Sequence, residues 1–129
     1  IRSSIIEVCL GITLKWKGLA KKFSLDKLKS VSQCRNNCTT ILESLDQKLF
    51  IAPGGRFREC YYWDTYWIIR ALTRTNLTKT AEGIVRNFMQ VIQQYGYIPN
   101  GMRIYYEGRS QPPLLALMLS DLTSVVPNR

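Results

Sequence analysis

Between Pro53 and Trp67 the chain reads Pro-Gly-Gly-Arg-Phe-Arg-Glu-Cys-Tyr-Tyr-Trp-Asp-Thr-Tyr-Trp. Arg, Glu and Asp packed into one short stretch can exchange directional hydrogen bonds with hydroxyl groups, and flat aromatic faces can cover the apolar C–H faces of sugar rings. The mixture suits a grip on a polyhydroxylated ligand. The same run serves equally well as a buried aromatic strip beside a solvated Gly-Gly turn, because aromatic side chains are core residues first. Other chemistry is excluded by what the chain lacks. It has no histidine, which removes Ser-His-Asp and Cys-His arrangements and imidazole metal sites, so any acid–base chemistry must come from carboxylates, Lys, Tyr or Cys. Cys34 and Cys38 stand one residue further apart than a zinc knuckle requires and no second pair completes a site, so no metal is expected.

Three blocks in order carry a more specific message. The first is Pro53-Gly54-Gly55-Arg56-Phe57-x-Glu59-x-Tyr61-x-Trp63-Asp64-x-Tyr66; the second is Tyr95-Gly96-Tyr97-Ile98-Pro99-Asn100-Gly101; the third is Arg103-Ile104-Tyr105-Tyr106 followed by Arg109-Ser110-Gln111-Pro112-Pro113. The first block resembles the leading signature of the trehalase family, glycoside hydrolases that cleave the α,α-1,1 bond of trehalose, and the other two keep the order and spacing of that family. The resemblance spans roughly residues 50–120. It implies an all-α fold, the N-terminal part of an (α/α)6 barrel or toroid, with substrate at one end, and no organic or metal cofactor.

Carried over residue by residue, the resemblance assigns substrate contacts to Arg56, Trp63, Asp64, Asn100, Arg109, Ser110 and Gln111. Each has a plainer reading: Asp64 as a helix N-cap, Asn100 as a turn residue that tolerates positive φ, and Ser110 as the cap of a following helix. Glu59 and Asp64 invite a reading as the two carboxylates of a glycosidase. The resemblance argues against it. In this inverting family the general acid is an Asp in a Gly-Trp-Asp context and the base is a Glu, both much later in the chain. Here Trp-Asp occurs once, as Trp63-Asp64 after Tyr62, and the Gln-Trp-Asp of the family's second signature is absent. The expectation is an intact inverting trehalase whose recognition residues lie in this segment and whose catalytic residues do not, so that the 129 residues alone are inactive. The alternatives are a non-catalytic, trehalase-like sugar-binding remnant and a basic interaction module.

The last alternative comes from charge. Lys and Arg number 18 against 9 Asp and Glu, a net +9. Before residue 50 the excess is mostly lysine (Lys15, Lys17, Lys21, Lys22, Lys27, Lys29), as on a solvated helix face or a polyanion-binding patch. Beyond residue 50 it is almost all arginine, which favours planar, bidentate recognition over a diffuse positive field, so nucleic acid is not the expected partner. Two sequons, Asn37-Cys38-Thr39 and Asn76-Leu77-Thr78, permit N-glycosylation at Asn37 and Asn76. With four cysteines they point to an extracellular or cell-surface protein, secreted or membrane-anchored. The start at Ile1 and the finish at Arg129 both look cut.

The elements that must position these residues read as mostly helical. A basic N-terminal segment, residues 1–50, matches the family poorly and carries two rough helical faces, Ile5 to Trp16 and Ile41 to Leu49; residues 51–129 are the trehalase-like segment of the catalytic domain. Phe50-Ile51-Ala52 is extended chain that Pro53-Gly54-Gly55 ends. A helix is predicted from an N-cap at Asp64, with Trp67, Ile68, Ala71 and Leu72 as its apolar stripe. A second is predicted from Thr78 to a stop at Gly96, with Ala81, Ile84, Val85, Phe88, Met89, Ile92 and Tyr95 inward. A third, opened by Pro112-Pro113, carries Leu114, Leu115, Leu117, Met118 and Leu122. A barrel of about a dozen helices, at roughly 11 residues each plus loops, exceeds this chain, so part of a barrel is expected.

Overall fold

The computed structural model describes Ala20, Lys21, residues 50–109 and residues 111–126. The predicted helical faces at Ile5–Trp16 and Ile41–Leu49, and the cysteines other than Cys60, lie outside these residues. Apart from one two-residue strand pair and two isolated bridges, the regular structure of the described residues is helical. Strand β1 (Ala20–Lys21) runs antiparallel to β2 (Phe50–Ile51), with Ala20 opposite Ile51 and Lys21 opposite Phe50. Helices α1 (Tyr62–Arg74) and α2 (Thr78–Tyr95) form a hairpin, a 3-10 turn follows at Ile104–Tyr106, and α3 (Leu115–Thr123) closes against both members of the hairpin. The architecture is all-α, as the sequence implies.

Helix α1 begins two residues before Asp64. Tyr61 is the last extended residue (φ −110°, ψ 137°), and no side chain caps the helix. Asp64 lies instead in the first turn, where a carboxylate faces the positive end of the helix dipole. The early start has a tertiary cause. Tyr62 packs its ring edge-on against Phe88 at 5.4 Å, and its N–H, an orphan donor of the first turn, donates to the Asn100 carbonyl at 3.0 Å. The buried face also differs from the predicted stripe: Tyr62, Thr65, Ile68, Ile69 and Leu72 are inside, whereas Trp67 remains 56% exposed. Thr65 is buried at no polar cost, because its hydroxyl donates to the Tyr61 carbonyl at 2.5 Å.

In α2 the core positions are Ala81, Ile84, Val85, Phe88 and Val91, while Met89, Ile92 and Tyr95 face outward. The sequence stripe was too wide: α1 and α3 cover only a narrow face of the helix. Thr78 is the first helical residue and provides no side-chain cap, and Glu82 pairs with Arg86 one turn on at 2.6 Å. The predicted stop holds. Gly96 adopts φ 80° and donates its N–H to the Ile92 carbonyl at 2.8 Å, a left-handed closure that glycine makes without steric cost.

Helix α3 starts at Leu115, after the two prolines. It buries Met118 and Leu122, with Leu114, Leu115 and Leu119 partly covered and Leu117 outward. Its first N–H is satisfied across the fold, Leu115 donating to the Tyr62 hydroxyl at 2.8 Å. Arg70 of α1 lies over the rings of Tyr66 and Trp67, 5.7 Å from each, and reaches Asp121 of α3 at 3.3 Å. Among the described residues no helix is long and apolar enough to cross a membrane.

Phe88 is 1% exposed and touches the ring that organises the hairpin, whereas its neighbour Met89 is 44% exposed. Phe88→Ala is expected to lower unfolding stability by about 3–5 kcal/mol, and Met89→Ala by under about 1 kcal/mol, in equilibrium urea titrations followed by far-UV circular dichroism.

Candidate functional site

The first block folds as a tight loop feeding α1. Gly54 and Phe57 exchange both backbone hydrogen bonds, at 3.2 and 3.1 Å, around a two-residue tip of Gly55 and Arg56. Gly54 (φ 106°) and Gly55 (φ 59°) supply left-handed backbone that few other residues adopt. Arg56 is thereby held at the tip, exposed to solvent, with its guanidinium 4.9 Å above the Phe57 ring.

From there an aromatic strip runs across the site. Phe57 meets Tyr61 edge-on at 6.1 Å, Tyr61 meets Tyr106 edge-on at 6.1 Å, and Tyr106 packs against Tyr105 at 4.5 Å. At the far end the Arg109 guanidinium stands 5.4 Å over the Tyr106 ring. The strip is thus closed by an exposed arginine at each end, one from the first block and one from the third. Arginine over an aromatic face keeps its N–H fork outward and pre-organised.

The second block locks this arrangement from beneath. Beside the Tyr62–Asn100 hydrogen bond, Tyr61 bridges to Gly101. Gly101 has ordinary backbone angles, and its requirement is space: a Cβ there would come within 2.8 and 2.9 Å of Tyr106 ring carbons and 3.4 Å of Tyr61. Glu59 accepts a hydrogen bond from Arg103 Nε at 3.0 Å, a half-buried ion pair across 44 positions, and the Tyr105 hydroxyl stands 3.5 Å from its other oxygen. The 3-10 turn then carries the chain back, Arg109 N–H donating to the Tyr106 carbonyl at 3.1 Å.

The structure therefore brings Arg56 and Arg109 onto one strip, and holds the backbone of Asn100 against Tyr62, next to the strip residue Tyr61. Trp63 and Asp64 are exposed in the first turn of α1, directly after it, and Gln111 is half-buried between Arg109 and α3. None of these three makes a ring contact or side-chain hydrogen bond with the strip among the described residues. Ser110 lies outside the described residues. The sequence offers Tyr61, Tyr62, Tyr66, Tyr105 and Tyr106 as a sugar platform or as core packing; what it does not reveal is that Arg103 is the partner of Glu59, that Gly101 is needed for space, and that Phe57 joins Tyr61 and Tyr106 in one strip. No local signal marks a pair so far apart in the chain.

Burial, helped by the neighbouring Tyr106 hydroxyl and the Glu59 charge, pushes the Tyr61 hydroxyl up to about 12. Burial also pushes the Cys60 thiol up to about 12, so that this buried, free cysteine is inert at neutral pH. The Tyr61 hydroxyl consequently stays neutral, able to donate and accept as a sugar hydroxyl does. Glu59 is held by its ion pair with Arg103.

A family model described as trehalase matches residues 4–128. Trehalase of Bombyx mori is 57% identical over 70 residues, 54% of this chain and 12% of that protein. Trehalase of Dictyostelium discoideum is 40% identical over 118 residues, 91% of this chain and 18% of that protein. Among solved structures, neutral trehalase from Saccharomyces cerevisiae aligns with a TM-score of 0.57 at 38% identity, covering 67% of this chain and 16% of that one. The chain thus spans less than a fifth of the length of these relatives.

Since a methyl group at residue 101 would have to displace the Tyr106 ring, Gly101→Ala is expected to destabilise the fold by about 1–3 kcal/mol and to reduce the tyrosine bands in near-UV circular dichroism. An unaltered near-UV spectrum would mean that the strip does not depend on this close approach.

Proposed function

This chain belongs to the trehalase family, and from that premise we propose that the intact protein hydrolyses trehalose with inversion, releasing two glucose molecules, and that the residues described here form part of its substrate-recognition face. The observation that carries the reading is the strip from Phe57 through Tyr61 to Tyr106, with Arg56 and Arg109 stacked on its two ends. A neutral disaccharide offers hydroxyls that both donate and accept. Two pre-organised guanidinium groups supply donors, and Asn100, Ser110, Gln111 and Asp64 are residue types that add further donors and acceptors. The exposed Trp63 and the half-exposed Phe57 ring offer apolar faces.

Proton transfer is a separate task. The general acid and base of the reaction belong to later Trp-Asp and Glu positions of the family, which this chain does not contain, and hydrolysis needs no metal or organic cofactor. Recognition of a neutral sugar through hydrogen bonds also separates this reading from a polyanion-binding one, since counterion release makes the latter strongly salt-dependent. The arginines of the site are interleaved with aromatic rings and with Glu59 and Glu107, which is the pattern of a directional site.

The chain of 129 residues is expected to release no glucose from trehalose above a heat-treated control. In a version that includes the catalytic residues, Arg56→Ala is expected to lower kcat/KM by about 2–4 kcal/mol, roughly thirtyfold to a thousandfold. Wild-type kcat/KM in that variant would remove Arg56 from the site.

A further inference from the structure

We propose that Asn76 is an N-glycosylation site of this protein, placed at the end of the helical hairpin opposite the sugar-recognition face. The sequon Asn76-Leu77-Thr78 occupies the connection between α1 and α2. That connection has a defined geometry. Leu77 N–H reaches back to the Leu72 carbonyl at 2.9 Å, Thr75 N–H bonds to the Ala71 and Leu72 carbonyls, and Asn76 between them has φ 60°. This is a Schellman-type helix end with Asn76 in the left-handed position. It draws Leu77 inward, where it packs on the core, and leaves Asn76 exposed.

Neither polar residue of the triplet has a structural task that demands its type. Glycine is the usual occupant of the left-handed position; asparagine tolerates it but is not required there. Among the described residues no hydrogen bond involves the Asn76 side-chain amide. Thr78 sits at the start of α2, yet its hydroxyl caps nothing: the helix has no side-chain cap. An exposed, unbonded amide two residues before a hydroxyl that the fold does not use is what an acceptor site requires.

Position makes the modification compatible with the proposed function. Helix α1 runs thirteen residues from Tyr62 to Arg74, roughly 20 Å at 1.5 Å per residue. The recognition residues lie at its first turn and, after α2 has returned, at Asn100 to Arg109. A glycan on Asn76 therefore projects from the far end. The other sequon, at Asn37, lies outside the described residues. In the modification, the Asn76 amide nitrogen bonds to the anomeric carbon of an oligosaccharide carried on a polyisoprenyl diphosphate. The bond from that carbon to the diphosphate oxygen breaks, the lipid diphosphate leaves, and the amide gives up one proton. The reaction takes place in the secretory pathway, consistent with the extracellular or cell-surface location that the cysteines and sequons suggest. The inference does not depend on trehalose binding.

The test is to translate the full chain, behind a cleavable signal peptide, into eukaryotic microsomes and to map the tryptic peptide Thr75–Lys79 by mass. The expected result is a glycosylated peptide that peptide N-glycosidase converts to the form with Asp at residue 76. Asn76→Gln and Thr78→Ala should each abolish the modification, and Thr78→Ser should retain it. The Thr78 variants leave the left-handed residue untouched, so they report on the acceptor sequence and not on a strained turn. An unmodified Thr75–Lys79 peptide in the translocated wild-type chain would overturn the proposal, whatever the state of Asn37.

Discussion

Tyr62 holds the described part of this protein together through three different kinds of contact at once. Its ring is buried against Phe88 of α2, its N–H donates to the Asn100 carbonyl, and its hydroxyl accepts the first N–H of α3 from Leu115. Both polar groups of a residue only 4% exposed are thus satisfied, which is the condition for burying a tyrosine without loss. Burial raises the pKa of this hydroxyl, and the backbone N–H that Leu115 donates to it pulls in the opposite direction without overcoming burial. Because the three contacts reach three segments, the start of α1, the Asn100 turn and the start of α3 cannot move independently.

The candidate site residues inherit their placement from that junction. Tyr61 and Trp63 flank Tyr62 in sequence, Asn100 is its backbone partner, and Gln111 precedes the helix whose first N–H the Tyr62 hydroxyl accepts. Once Tyr62 is seated, Tyr61 is directed towards Gly101 and Tyr106, and the lack of a side chain at Gly101 lets the rings close. The Glu59–Arg103 pair then joins the first loop to the third. A half-exposed ion pair contributes little stability, on the order of 1 kcal/mol or less, so its main effect here is to set the register between loops that carry Arg56 and Arg109.

The hairpin separates two ends with different chemistry. At one end, loops rich in arginine and tyrosine are held by long-range contacts. At the other, a compact three-residue connection satisfies its own carbonyls and presents only Asn76 outward. Between them the helices bury a narrow apolar face, and the outward Trp67, Met89, Ile92 and Leu117 show that each helix has apolar surface beyond what its described neighbours cover.

Local features were legible in the sequence because their causes are local. The stop of α2 at Gly96 depends on one residue's freedom at positive φ, the turn at Gly54-Gly55 likewise, and the helical periodicity of α2 lies within a single segment. The order of residues in the three blocks also sufficed for the family and for the all-α class. The start of α1, the face it buries and the partner of Glu59 were not legible, because each is set by contact with segments far along the chain: Asn100 and Phe88 for Tyr62, Arg103 for Glu59, Tyr106 for Gly101. What the sequence determined by itself is the family, which residues carry hydrogen-bonding and aromatic groups in the three blocks, and where local backbone must turn. Which of them share one surface was decided by the tertiary structure, since only the packing of α1, α2 and α3 around Tyr62 brings Arg56 and Arg109 to the two ends of the same aromatic strip.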